Sequence, residues 1–337
     1  MTSKPTSMKE IAEMANVSVM TVSRALRNSP GISGETRERV LEIANEVGYQ
    51  KNPLVSALMT QRRKGAPADI SLTVAHIHCL PADRKLTGNL LTLRQGIRSQ
   101  AKKHGFEVSE FYLNEPGMTP QRLANILSSR GIRAAIFEHF FEDGVELDID
   151  LSSISAVALT HTMRKPNLNR VVVAEYLSVL VATEHLEKLG YQKIGLIVNP
   201  RQEAIARIKR EAAWLLHQQN LPEHARVPLL VSEREGFESA LESWLKTHTP
   251  DAIICPYRRA KPLIDQLDQK IGYVQLGWHE DDTELAGVDP NWRQVGISAV
   301  NKVVDQLFRG EFGEPQTPTV TSIDCHWQDG PSVQVPN

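Results

Sequence analysis

From residue 70 onward the chain alternates short apolar runs with amphipathic stretches, and this rhythm constrains the fold more than any other feature. Runs at 70–78, 106–113, 134–137, 156–159, 193–198, 227–230, 252–255 and 273–276 read as strands. Stretches at 90–104, 120–130, 177–189, 204–219, 236–247 and 262–270 read as helices between them. Strands separated by helices pair in parallel, with the helices covering the sheet. The strands are too many for one comfortable sheet, so the pattern predicts two α/β lobes. With 337 residues, 41% of them hydrophobic, there is material for a large core and more than one compact unit. No run of about 18 apolar residues is present, so no membrane span is expected. The N-terminus carries no apolar signal region, so a cytoplasmic location is expected.

The first fifty residues follow a different pattern. Ser7 and Glu10 form a capping box for a helix over residues 8–15, whose buried side carries Ile11 and Ala15. Asn16 falls where the chain must turn, and Asn tolerates left-handed backbone. Ser18 then caps a second short helix, with Val22, Ala25 and Leu26 on its inward face. Val19, Met20, Thr21, Ser23 and Arg24 are left pointing elsewhere. A third helix starts at the cap Ser33, carries the stripe Val40, Ile43, Ala44 and Val47, and ends at Gly48. Two short helices about a tight turn, the second offered outward, have helix-turn-helix geometry. Hydroxyls and an arginine at a helix start suit phosphate and guanine contact, although a solvated polar face accounts for these residues equally well.

Residues 1–65 hold ten Lys and Arg against six Asp and Glu, while the remainder holds 28 against 34, giving a mildly basic end on an acidic body. The three cysteines, Cys79, Cys255 and Cys325, form no Cys-x-x-Cys pair, so buried reduced thiols are expected.

The motifs Met8-Lys9-Glu10-Ile11-Ala12, Asn16-Val17-Ser18, Thr21-Val22-Ser23-Arg24, Thr36-Arg37-Glu38-Arg39-Val40 and Gly48-Tyr49 resemble the LacI/GalR family of bacterial transcription regulators. The resemblance is dense over about the first sixty residues and weaker beyond. It implies a multidomain chain. An N-terminal all-α helix-turn-helix domain comes first (1–50), then a hinge helix and linker (51–69). A two-lobed, periplasmic-binding-protein-like α/β domain for effector binding and dimerisation completes it (70–337). Lobe 1 would span about 70–189 and 292–308, and lobe 2 about 190–290 and 319–328.

By that resemblance Ser18, Thr21, Ser23, Asn28, Thr36 and Tyr49 anchor the DNA backbone, and Val19, Met20 and Arg24 read bases. Ser33 and Asn52 are counted with the DNA-binding positions. Asn52 and Pro53 open a short helix well, and Leu58 matches the family's hinge leucine, which wedges between base pairs in the minor groove. The basic segment Arg62-Arg63-Lys64 either touches flanking phosphates or is a solvated tether.

In the body, Phe106-Glu107-Val108, Ala182-Thr183-Glu184-His185-Leu186, Leu189-Gly190-Tyr191 and the stretch 296–307 match the family layout. The pocket departs from it. Ala174, Tyr257-Arg258, His279 and Pro290 stand where the family places polar sugar contacts, and only a basic residue near Arg207 or Arg210 is left to stand for the usual effector-binding Arg. Candidate effector contacts are His78, Arg207, Tyr257, Arg258, His279 and Trp292. Aromatic faces suit sugar or base stacking, and Arg258 suits a carboxylate or phosphate. His76 and His78 share a strand face and with His279 suggest a metal, but no third ligand stands at a recognisable spacing. No metal is assigned. Trp214, Trp244 and Trp327 read as core.

The expected function is a sequence-specific transcription regulator, in most such cases a repressor. It would bind a pseudo-palindromic operator in double-stranded DNA as a homodimer, under control of a small-molecule effector, carbohydrate-related or otherwise. An alternative keeps the regulator but with a degenerate or non-sugar pocket, and a remote one is a cytoplasmic small-molecule-binding protein without DNA activity. No phosphate loop, Gly-x-Ser-x-Gly elbow or dinucleotide fingerprint is present, so neither an enzyme nor a cofactor is expected.

Overall fold

A computed structural model of the chain describes residues 8–26, 32–46, 72–79, 88–140, 142–200, 204–233, 235–266 and 270–334. Two compact units divide it, Met1–Ala68 and Asp69–Asn337.

The small unit holds α1 (Met8–Met14), α2 (Val19–Leu26) and α3 (Gly34–Glu46). Ser18 caps α2 by accepting the Thr21 N–H at 3.1 Å, and Ser33 caps α3 by accepting the Thr36 N–H at 3.2 Å. Asn16 takes φ 52°, the left-handed turn expected between the first two helices. The three helices enclose Ile11, Ala12, Ala15, Val22, Ala25, Val40 and Ala44. Only three of these are larger than alanine. Each contributes about 1.5–3 kcal/mol by burial, so the unit depends heavily on every one of them. Its small alanines let the helices approach closely. Asn28, Tyr49, Asn52, Leu58 and the proposed hinge helix lie outside the described residues.

The large unit contains two six-stranded sheets. The first is built from β1 (Thr73–His78), β2 (Glu107–Tyr112), β3 (Ala134–Phe137), β5 (Ser155–Leu159), β7 (Asn169–Val173) and β13 (Val320–Ile323). It is parallel throughout, in the order β13-β7-β5-β3-β1-β2. The second combines β8 (Ile194–Val198), β9 (Leu230–Val231), β10 (Ala252–Cys255), β11 (Gly272–Leu276), β12 (Ala286–Asp289) and β14 (His326–Gln328). Its order is β14-β12-β11-β10-β8-β9, with β14 alone antiparallel. A two-stranded ribbon, β4 (Val145–Glu146) with β6 (Met163–Lys165), lies beside the first sheet. The central strands β3, β5, β7, β8, β10 and β11 are buried along their whole length, as strands covered on both faces must be.

Helices α4 (Gly88–Lys103), α5 (Pro120–Ser129) and α10 (Trp292–Arg309) cover the first sheet. Helices α6 (Glu175–Lys188), α7 (Ala204–Gln219), α8 (Phe237–His248) and α9 (Ala260–Asp265) belong with the second. The closest helix pair is α4 with α10. Gly96 lies against the Arg293 carbonyl and Gly296 against the Leu93 carbonyl, so each crossing point needs a residue without Cβ.

Two lobe assignments from the sequence are corrected. Helix α6 was expected in lobe 1, but it packs on α7, β10, β12 and β14 of the second lobe, because its apolar face is complementary to theirs. Strand β13 was expected in lobe 2, but it pairs with β7 along Val320–Ile323 in the first sheet. The chain therefore crosses between lobes three times, at Ala174, at 290–291 and at 324–325. Two elements are shorter than expected: β9 begins only at Leu230, and α9 ends at Asp265. Trp214 and Trp244 are core as expected, whereas Trp327 is half-buried and stacks on His185 at 4.7 Å. All three cysteines are free and buried, and burial pushes the thiols of Cys255 and Cys325 up to about 12. Among the described residues no helix is long and apolar enough to cross a membrane.

Candidate functional site

The outer face of α2 is unusual for so small a unit. Val19 and Met20 are 43% and 57% exposed, and Arg24 is exposed one turn further along. The Ser18 and Thr21 hydroxyls lie 2.9 Å apart at the helix start, and Ser33 with Thr36 repeats that pairing at 2.8 Å at the start of α3. The side chain of Ser23 lies outside the described residues. The small unit thus presents two hydroxyl-capped helix N-termini, whose free N–H groups favour anions, beside an exposed apolar and cationic helix face.

In the large unit the lobes face each other across the carboxyl ends of their strands, the usual place for a ligand in open α/β sheets. Among the described residues, polar contacts join them at several points. The Asn89 amide donates to the Gly277 carbonyl at 2.9 Å. The Thr92 hydroxyl donates to the Gly88 carbonyl at 3.0 Å, so it must accept from His279 Nε2, also at 3.0 Å. His279 Nδ1 faces Asp281, 3.3 Å from its backbone nitrogen and 3.2 Å from its carboxylate. The Asp143 carboxylate accepts the N–H of Ala204 at 2.6 Å, which places a negative charge at the start of α7. Lys209 Nζ donates to His161 Nε2 at 3.1 Å. Burial and then the charges of Lys209 and Arg170 hold the His161 imidazole down to about 4, so it is neutral at pH 7. Next to it Thr160 takes φ 67°. A β-branched residue there is strained by roughly 1–3 kcal/mol, and such strain often collects at ligand clefts.

The six expected effector residues do not converge. Arg258 pairs with the buried Asp282 at 2.5 Å, and Asp282 also accepts the His279 N–H at 2.9 Å. Those three form one network that holds the loop after β11. Tyr257 is committed to the second-lobe core, with its hydroxyl donating to the Ser232 carbonyl at 2.8 Å and its ring edge-on to Phe237. Arg207 pairs with Glu211 on its own helix at 3.2 Å, and Trp292 is half-buried at the start of α10. The alternative basic position, Arg210, is buried and pairs with Glu175 at 2.5 Å. Helix α6 begins at Ala174 with no side-chain cap, which agrees with the missing acidic residue there.

His78 lies in a separate buried cluster in the first lobe, with His76, Arg94 and Glu138. The third group beside the two histidines is Glu138, not His279. Sequence reasoning missed Glu138, Arg94, His161 and Lys209. One signal was available for Glu138: a lone carboxylate directly follows the wholly apolar strand Ala134–Phe137.

Comparison with known proteins settles the family. Residues 7–52 match the family described as bacterial regulatory proteins, lacI family, and residues 89–261 match periplasmic binding proteins and sugar binding domain of LacI family. The chain belongs to the LacI family. Among relatives of this LacI-family chain, the lactose operon repressor of Escherichia coli K12 is 25% identical over 72% of the chain and 63% of the repressor. The chain thus aligns with under two thirds of that relative's length. The transcriptional repressor MelR of Bacillus subtilis 168 is 27% identical over 73% of this chain and 71% of MelR. NtdR of the same organism, an NTD biosynthesis operon regulator, is 23% identical over 94% of this chain and 86% of its own. A lac repressor dimer solved with operator and the anti-inducer ONPF has a TM-score of 0.56 at 18% identity, covering 97% of this chain and 98% of that one. The CelR–cellobiose complex has a TM-score of 0.57 at 17% identity, covering 98% and 100%. At these identities the solved structures establish the LacI-family fold, a helix-turn-helix unit followed by a two-lobed α/β body.

Proposed function

We propose that this chain is a sequence-specific DNA-binding transcription regulator, acting as a homodimer and usually as a repressor, with a small molecule between its lobes controlling DNA affinity. The exposed Val19–Met20–Arg24 face of α2, on a unit matching the family's DNA-binding part, carries the reading. Arg24 reads guanine, Val19 and Met20 touch thymine methyls, and Ser18, Thr21, Ser33 and Thr36 hold phosphates. Ser23, Asn28, Tyr49, Asn52 and Leu58 complete the interface. The domain division at about residues 50 and 69 belongs to the same proposal.

The effector reading is supported by the cleft chemistry. Lys209 and His161 face each other across the lobes at 3.1 Å. The second-lobe loop is already held by its own Arg258–Asp282 pair. The cationic Lys209 at the lobe boundary suits an effector with an anionic group, carbohydrate-related or otherwise. The cellobiose found in CelR and the ONPF in the lac repressor show what two relatives hold, and neither is assumed here.

The deciding experiment is selection of duplexes from a random pool by the purified full-length chain at low salt. Enrichment of an inverted repeat is expected. No enrichment by the folded protein, with or without added cell metabolites, would remove the DNA-reading function.

A further inference from the structure

The buried cluster in the first lobe has no place in the regulatory reading, and it has the composition and spacing of a metal centre. His76 and His78 alternate on β1 and so project from one face, and β3 runs beside them in register, Ile77 opposite Phe137, which brings Glu138 level with His78. The donor atoms of His76, His78 and Glu138 all lie within 4.8 Å of one another, and all three residues are buried. His76 Nε2 and His78 Nδ1 each stand 3.1 Å from the same oxygen, Glu138 Oε2. Two ligand atoms at about 2.0–2.1 Å from a tetrahedral ion are about 3.3 Å apart, so each histidine already stands at ligand spacing from the carboxylate.

The hydrogen bonding within the cluster is incomplete in a way that a cation would resolve. His78 Nδ1 faces the Arg94 guanidinium at 2.9 Å, which can only donate, and the Glu138 carboxylate, which can only accept. One ring nitrogen cannot satisfy both. His76 Nε2 is within ion-pair distance of Glu138 but makes no directed hydrogen bond, and His78 Nε2 makes none either. A buried polar atom left in that state costs roughly 1–3 kcal/mol. Beyond His78, Glu110 on β2 places Oε2 3.7 Å from His78 Nε2 and is itself paired with Arg98. A carboxylate behind a ligating histidine is the usual outer partner that orients the ring on a metal. Tyr112 stacks on the other side of His78 at 4.5 Å and limits its rotation.

We infer that His76, His78 and Glu138 form a site for a first-row divalent cation of the zinc class, with Glu110 orienting His78. Two imidazoles and one carboxylate are a borderline-hard donor set that favours such ions over calcium or magnesium. Three protein ligands leave a fourth position for water or an outside oxygen. The guanidinium of Arg94, Nε 3.4 Å from Glu138 Oε2, is the competing cation for the same donors, so metal entry must displace it.

The test uses the full-length chain, stripped with chelator, dialysed and titrated with Co2+. One equivalent per chain should bind with the d–d absorption of a nitrogen–oxygen donor set, and Zn2+ should abolish it. Glu138→Gln should lose the signal, Glu110→Gln should weaken binding by about 10–100-fold, and Arg94→Met should tighten it. Circular dichroism checks that each variant is folded. A folded wild-type chain that shows no d–d absorption at millimolar Co2+ overturns the site, as does absorption that persists in Glu138→Gln. Should Glu138→Gln not fold, unchanged affinity in both Glu110→Gln and Arg94→Met overturns it instead. In any of these outcomes the cluster is only a buried ion-pair network.

Discussion

Arg24 and Asn16 show how far single residues could be understood before the structure was known. Asn16 was expected in left-handed backbone and has it, because the chain has to reverse within the four residues between the first two helices. Arg24 was expected outside and is exposed, and it should discriminate guanine by about 1–3 kcal/mol. Arg24→Ala should therefore reduce binding to the selected repeat by roughly 5- to 150-fold while much of the non-specific binding remains, measured by competition on both DNAs. Equal loss on all sequences would make it a phosphate contact. The cleft was less legible. Arg258 and His279 are polar residues in a family pocket position, yet their partners, Asp282 and Thr92, are set by lobe packing and leave no pattern in the sequence. His161 was missed for the same reason, since Lys209 is 48 positions away. Its folded value of about 4 lies below the unfolded 6.5. Above pH 6.5 both states are neutral there and the group contributes nothing. Between pH 6.5 and 4 the unfolded chain takes the proton and folding is weakened. With a discount for the ring's partial exposure, the loss is about 1 kcal/mol at pH 5. Thermal melts should show a smaller drop from pH 7 to 5 in His161→Asn than in the wild type.

At the scale of elements, periodicity located helices α4 to α9 and eight strands of the body because each has to bury a defined face, but it missed β7, β12 and the β4–β6 ribbon. It failed for lobe membership. Whether α6 turns to the first or second sheet depends on which partner its stripe fits, and β13 could have paired at either edge. The contact between α4 and α10 is legible only in hindsight, as Gly96 and Gly296 at helix positions where alanine would ordinarily be favoured. Their absence of Cβ allows each backbone to touch the other. Gly96→Ala or Gly296→Ala should thus destabilise the body by about 1–3 kcal/mol despite better helix propensity, read from denaturant melts. A neutral or stabilising effect would mean that the helices can separate without loss.

For the whole molecule, the mildly basic residues 1–65 and the acidic remainder coincide with the division of the chain into two compact units, residues 1–68 and 69–337. A chain starting at Asp69 should fold with an undiminished melting transition for the body and should not retain the selected DNA in a mobility-shift assay. Retention would place DNA contacts in the body. The three crossovers have a further consequence, for synthesis on the ribosome. Neither sheet is made from one continuous piece of chain: β13 closes the edge of the first and β14 the edge of the second, only residues apart. Until about residue 330 has emerged, β7 and β12 both present open strand edges. Emergence of residues 320–328 therefore completes both lobes almost together, and a nascent chain stalled before them carries two unsealed sheets that invite chaperones.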